Sequence, residues 1–218
     1  MTEEEPELDR DAADPLAPSA LIAAGSIAVA SWEPPIPISV WRVPGTYPDP
    51  YELTPPVAAS LIGFYTSPGD IVVSIGHDPA LAGAAGAGGR TYRWVAGTDA
   101  LNGLQHVTGM VSLIVLPWPP HEQRTGLSQE RLVHMFGACR RLMRSDGCTI
   151  VALAATGSET YAEHTTPMLP AARLAGLGWS QHIVAITDQP DTPVAHRDAD
   201  GALHMDFLVF AVHRSRHA

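Results

Sequence analysis

Six short runs of apolar and β-branched residues recur along this chain, and their spacing restricts the fold more than any other feature. They are IVVSI (71–75), TYRWV (91–95), VSLIVL (111–116), CTIVALA (148–154), QHIVAIT (181–187) and MDFLVFAV (205–212). Each is too short for a buried helix. IVVSI and VSLIVL are apolar nearly throughout, as strands are when both faces of a parallel sheet are covered.

Between them lie helix-patterned segments. The loop PGTYPDPYELTPP leads into VAASLIGFYTS, whose apolar spacing predicts a helix ending near Ser67, followed by a Pro-Gly-Asp turn (68–70) into the first core strand. The run GHDPALAGAAGAGGR (76–90) supplies a Gly-rich turn and a small-residue helix. LSQERLVHMFGACRRLMRS (127–145) is amphipathic and reads as a helix stopped at Asp146-Gly147, and Thr165 to Gly176 as another stopped by Gly176. No helix separates the last two strands, so the final one must enter antiparallel. The alternation predicts an α/β fold with a mostly parallel, doubly wound, Rossmann-like sheet and an antiparallel last strand.

Residues 1–18 are acidic, Pro-containing and poor in large apolar side chains, which predicts a disordered tail ahead of one domain over 19–218. In the apolar stretch 20–41, Pro34, Pro35 and Pro37 limit the chain to short edge strands. A mean hydropathy of +0.04, with no apolar run of roughly 18 residues, predicts a protein that does not span a membrane. The acidic start lacks the basic flank of a secretory signal, and Cys139 and Cys148 have no evident reason to pair, so the expected compartment is the cytoplasm.

Charge narrows the partners. All 13 basic residues are arginine, a bias like that of a GC-rich genome, and the net charge is −10. Affinity for duplex nucleic acid comes mainly from neutralising phosphates, so duplex DNA is a disfavoured partner. With no lysine there is no phosphate loop of the Gly-rich, Lys-containing kind, and Ser158 lacks the flanking glycines of a hydrolase elbow. His196, Asp198, Asp200 and His204 match no closed zinc spacing, so no metal is expected. Glu163 and His164 follow the fifth strand on the side where doubly wound sheets bind ligands, and are candidate pocket residues unless Glu163 simply serves a helix start.

From Tyr47 to His213 the chain resembles the amino-methylating DNA methyltransferases (N4/N6-type) and related methylase-like proteins. The match is strongest over TPPVAASLIGFYTSPGDIVVS (54–74), where the family has a Pro-containing loop and helix leading through Pro-Gly-Asp into its first strand. The resemblance implies a Rossmann-like fold that binds S-adenosylmethionine, with Thr54 and Pro56 in the entering loop and Ser74, Gly76 and Asp78 at the first strand's end. The family has an acid at that end, ahead of a Gly-rich turn. Here Ser74 stands in its place, Gly76 keeps the turn, and Asp78 compensates only if the loop folds back. The glycines from 83 to 89 serve equally to seat a helix closely on the sheet.

The family's second acid, for the ribose, directly follows its second strand. In this chain Asp99 comes four residues late, either reaching the ribose from its loop or standing solvated. The catalytic turn after the fourth strand is Asn, Asp or Ser, then Pro-Pro and an aromatic; Trp118, Pro119, Pro120 and His121 occupy those positions. Trp118 offers only an indole donor and accepts nothing from an amine. His121 retains the means to stack or take a proton, and the segment also reads as a stiff loop. The resemblance therefore implies a methyltransferase-like protein with altered or lost catalysis and weak S-adenosylmethionine binding, or a non-catalytic binding or regulatory module, in a homodimer, acting on a small molecule or a protein.

Overall fold

Hydrophobic runs bounded by Gly and Pro become seven strands and four helices in the computed structural model, which describes residues 36–44, 52–119, 127–153, 161–188 and 204–212. The strands are β1 (Ile38–Pro44), β2 (Ile71–Ile75), β3 (Thr91–Val95), β4 (Val111–Trp118), β5 (Met143–Leu153), β6 (Leu177–Asp188) and β7 (His204–Val212). The helices are α1 (Pro55–Tyr65), α2 (Pro79–Ala87), α3 (Gln129–Leu142) and α4 (Tyr161–Leu174), with a 3₁₀ segment, Thr98–Val107, between β3 and β4. The described residues fall within one unit, Ile36–Ala218. The acidic segment 1–18 lies outside them.

One sheet runs in the order β1-β6-β7-β5-β4-β2-β3. β3, β2, β4 and β5 are mutually parallel, and β7 inserts antiparallel between β5 and β6. This is the mixed, doubly wound, Rossmann-like sheet of the methyltransferase type, with its reversed last strand. β1 adds an edge beyond β6 and parallel to it; it overlaps the expected stretch 20–41 at residues 38–41, and residues 20–35 lie outside those described.

Alternation in β4 and β7 sorts side chains to two cores. Ile114, Leu116 and Trp118 pack with α3, α4 and the 3₁₀ segment, whereas Leu113 and Val115 pack with α1 and α2. In β7, Leu208 and Phe210 face the first cluster and Phe207 and Val209 the second. Both faces of the central strands are thus covered, which accounts for their unbroken apolar sequences.

Three boundaries differ from those expected. α3 stops at Leu142, and β5 begins at Met143, running through Asp146-Gly147 where a helix stop was expected. The β4–β5 register jumps there, from Val111 opposite Met143 to Leu113 opposite Cys148. Gly147 permits this, because a Cβ would stand 2.7 Å from the Val111 carbonyl oxygen. Arg144, carried by the jump, donates to Asp70 at 2.6 Å and so fixes the Pro-Gly-Asp turn before β2. Burial raises the Asp70 carboxyl, but the Ser67 amide and Arg144 outweigh it and hold the group below the usual carboxylate range.

α4 begins at Tyr161 rather than Thr165, so Glu163 and His164 belong to its first turn. The hydroxyls of Thr165 and Thr166 donate to the carbonyls of Tyr161 and Ala162, supporting that extra turn. Gly176, at φ +81°, ends the helix as expected. Among the described residues no helix is long and apolar enough to cross a membrane.

Candidate functional site at the sheet's switch point

β2 lies between β3 and β4, so the strand order reverses at β2, beside the carboxyl ends of β2 and β4. Doubly wound sheets bind ligands at such a switch point. Here the Gly76 turn leaves β2 and Trp118-Pro119 leaves β4, so the topology brings the two candidate regions side by side.

The turn is only three residues long before α2 begins. Gly76, at φ +78°, reverses the chain in a conformation that disfavours side chains, and its N–H donates to the Val95 carbonyl at 2.8 Å. Asp78 is the N-cap of α2: one carboxylate oxygen accepts from the Leu81 N–H at 2.7 Å. Its other oxygen accepts from the Leu53 N–H at 3.1 Å, tying the loop before α1 to the turn after β2. The loop does fold back onto itself, but Asp78 uses both oxygens on the protein's own backbone.

Ser74 and Tyr92 complete a hydrogen-bond circuit. Ser74, 1% exposed, donates to the Gly76 carbonyl at 2.6 Å. Its oxygen lies 2.6 Å from the Tyr92 hydroxyl, which accepts from the Asp78 N–H at 3.0 Å. With the serine proton committed to Gly76, the tyrosine proton must go to Ser74. The circuit therefore runs from the Asp78 N–H through Tyr92 and Ser74 to the Gly76 carbonyl, and no hydroxyl proton in it is spare. His77 adds an edge-on ring contact to Trp94, with centroids 5.7 Å apart.

The other expected residues disperse. Thr54 occupies the N-cap position of α1 without a side-chain cap bond; its hydroxyl oxygen is buried and has no hydrogen-bond partner among the described residues. Pro56 lies in the first turn of α1 and accepts from the Ser60 hydroxyl through its carbonyl. Asp99, in the first turn of the 3₁₀ segment, is 89% exposed and pairs with Arg131 of α3 at 3.3 Å. Trp118 is buried in the core beneath α3 and α4, and its indole N–H donates to His164 Nδ1 at 3.3 Å. Pro119 follows through a cis peptide bond. Pro120 and His121 lie outside the described residues, as do Ser158, His196, Asp198 and Asp200.

A second polar cluster escaped the sequence reading. His182 Nε2 of β6 lies 2.7 Å from Asp206 Oδ1 of β7, and His204 Nε2 lies 3.4 Å from the other carboxylate oxygen. Tyr161, opening α4, stacks on His182 with centroids 5.2 Å apart. Burial and then the Asp206 charge raise the Tyr161 hydroxyl well above its ordinary value. A lone acid in the apolar run MDFLVFAV, facing a histidine across a hairpin, was the available signal. Cys139 and Cys148 are unpaired and buried, and burial pushes both thiols up to about 12.

Among the described residues, the two acids do not stand free at the positions that the resemblance implies for them. S-adenosylmethionine carries a carboxylate and ribose hydroxyls, which need backbone donors and an acid acceptor at these strand ends. Asp78 places its own negative charge on the Leu53 and Leu81 donors, and Asp99 faces solvent and Arg131.

No model of a known family and no curated protein matches this chain. Solved structures similar to it include the antibiotic-resistance methyltransferase Kmr, at 18% identity over 82% of this chain and 88% of that one, with a TM-score of 0.40. A SAM-dependent methyltransferase from Archaeoglobus fulgidus is 11% identical over 71% of this chain and 92% of its own, with a TM-score of 0.44. A TehB-like SAM-dependent methyltransferase from Corynebacterium glutamicum is 17% identical over 72% and 87%, with a TM-score of 0.40. The fold assignment itself rests on the strand order and the reversed β7.

Proposed function

We propose that this chain is a methyltransferase-like protein in which methyl transfer has been lost, the fold serving as a binding or regulatory module in the cytoplasm. The observation that carries this reading is the self-satisfied turn after β2. There the Asp78 carboxylate holds Leu53 and Leu81, and Ser74 and Tyr92 close the circuit. Trp118 adds support, since its buried indole donates to His164 and offers an amine no acceptor.

Calorimetric titration with S-adenosylmethionine tests it. The expected dissociation constant is about a millimolar or weaker, against the micromolar range of a site with both end contacts intact. Micromolar binding by the unmodified chain would overturn the reading. A weakly S-adenosylmethionine-dependent enzyme is the second reading, favoured by the orphaned Thr54 hydroxyl beside Leu53. Under it, Thr54→Val would abolish whatever binding is seen, whereas under the first it changes nothing. The net charge of −10 argues against duplex DNA as substrate on either reading.

A further inference from the structure

We propose that Asn102–Gly103 is a self-modification site, at which the Asn102 side-chain amide becomes a carboxylate through a cyclic imide closed by the Gly103 nitrogen, with the Arg141 guanidinium polarising the carbonyl that is attacked. Asn102 is the one asparagine in the chain and stands directly before a glycine. Both residues are exposed. A Cβ built on Gly103 would meet nothing within 4 Å, so the surrounding structure leaves room for a ring to close there.

Arg141, in the last turn of α3, donates through Nη2 to Asn102 Oδ1 at 2.7 Å. Arginine only donates, so it must meet the oxygen of the amide, and its charge favours the oxyanion that forms when Cγ is attacked. The Gly109 N–H donates to the Arg141 carbonyl at 3.0 Å, which ties the end of this loop to α3 independently of the side chain. The 3₁₀ segment Thr98–Val107 is ten residues long, beyond the roughly three or four over which that geometry is comfortable, and Leu104 already departs from it at φ −88°, ψ 28°. Opening one turn there frees the Gly103 nitrogen, with Leu101 and Val107, both buried, anchoring the segment on either side. A cavity of about 60 Å³ bordered by Asn102, Gln105, Thr108 and Arg141 has room for water.

The atoms balance with water as the only co-reactant. Hydroxide takes the Gly103 amide proton, the nitrogen bonds to Asn102 Cγ, and the Cγ–Nδ2 bond breaks, Nδ2 leaving as ammonia after taking a proton from water. Water then opens the imide, giving aspartate at the side-chain carbonyl or isoaspartate at the main-chain one. Nothing is oxidised or reduced. Arg141 is already placed to pair with the new carboxylate, so the modification turns a hydrogen bond between the 3₁₀ segment and α3 into an ion pair.

Peptide mass spectrometry and ammonia release from the full chain, aged at mildly alkaline pH, test this. The wild type should release one ammonia per chain, with the amide-to-acid mass change at residue 102 alone and a rate that rises with pH. Gly103→Ala should fold like wild type by circular dichroism, since its Cβ meets nothing, and should convert about tenfold more slowly because the methyl crowds the attacking nitrogen. Arg141→Met, which removes the charged donor, should convert at least about threefold more slowly. An Asn102 that stays intact in the folded chain while the urea-unfolded chain converts it overturns the proposal. So does a Gly103→Ala protein that converts at the wild-type rate, or an Arg141→Met protein that converts as fast as wild type or faster, since the arginine would then restrain the amide instead of activating it.

Discussion

The turn after β2 and the β6–β7 hairpin each hold a partly buried carboxylate, but they spend it differently. At the turn, Asp78 accepts from two backbone amides, and its neighbours Ser74 and Tyr92 bond among themselves. In the hairpin, Asp206 faces side chains, with His182 Nε2 at 2.7 Å and His204 Nε2 at 3.4 Å, and Tyr161 stacks on His182. The first network fixes main chain between the turn after β2, α2 and the loop before α1. The second links β6, β7 and α4 through side chains. The difference teaches that at the turn after β2 the carboxylate is spent on main chain, while an ionisable cluster among the described residues stands across β4 and β5 from it.

Breaking the first network should have the larger effect on stability. Asp78→Ala removes a helix cap and the link to Leu53, and should cost about 3 kcal/mol in urea unfolding, combining a cap with a charge-assisted hydrogen bond. A loss under about 1 kcal/mol would mean that water replaces Asp78 freely and that the turn is not a joint. Asp206→Asn keeps the shape and one acceptor but removes the charge between two imidazoles, so about 1 to 2 kcal/mol is expected. If it proved the costlier of the two, the comparison would be reversed.

Legibility differed between these regions for a physical reason. Strand runs such as VSLIVL announce themselves because burial on both faces demands apolar residues in sequence, and Gly76 and Gly176 mark positive φ by composition alone. The start of β5 did not, since its register jump depends on how closely Gly147 approaches Val111, a contact across strands. Ser74 and Asp78 were visible as candidates, but their partners Tyr92 and Leu53 are fixed by the β2–β3 register and by α1 docking on α2. The partner of Trp118, His164, lies 46 residues away. Asp206 hid inside an apolar run because its partner His182 faces it only once the hairpin is paired, although His204, two residues before it, was in view.

The smallest effect should come from Asp99→Ala. An 89% exposed aspartate paired with a half-exposed arginine contributes under about 0.5 kcal/mol after solvent screening, so unfolding should scarcely move. Nor should S-adenosylmethionine binding change. A clear loss of binding in this variant would restore Asp99 to a ribose-holding role.

Amide hydrogen exchange at Leu53 and Leu81, followed by NMR with and without S-adenosylmethionine at about a millimolar, tests the central claim most directly. If Asp78 already holds these two donors, both amides exchange slowly in the free protein, lose protection in Asp78→Ala, and keep their shifts and rates when the cofactor is added. Fast exchange at Leu53 and Leu81 in the free protein, slowed when S-adenosylmethionine is added, would contradict the account and show a cofactor site that was open all along.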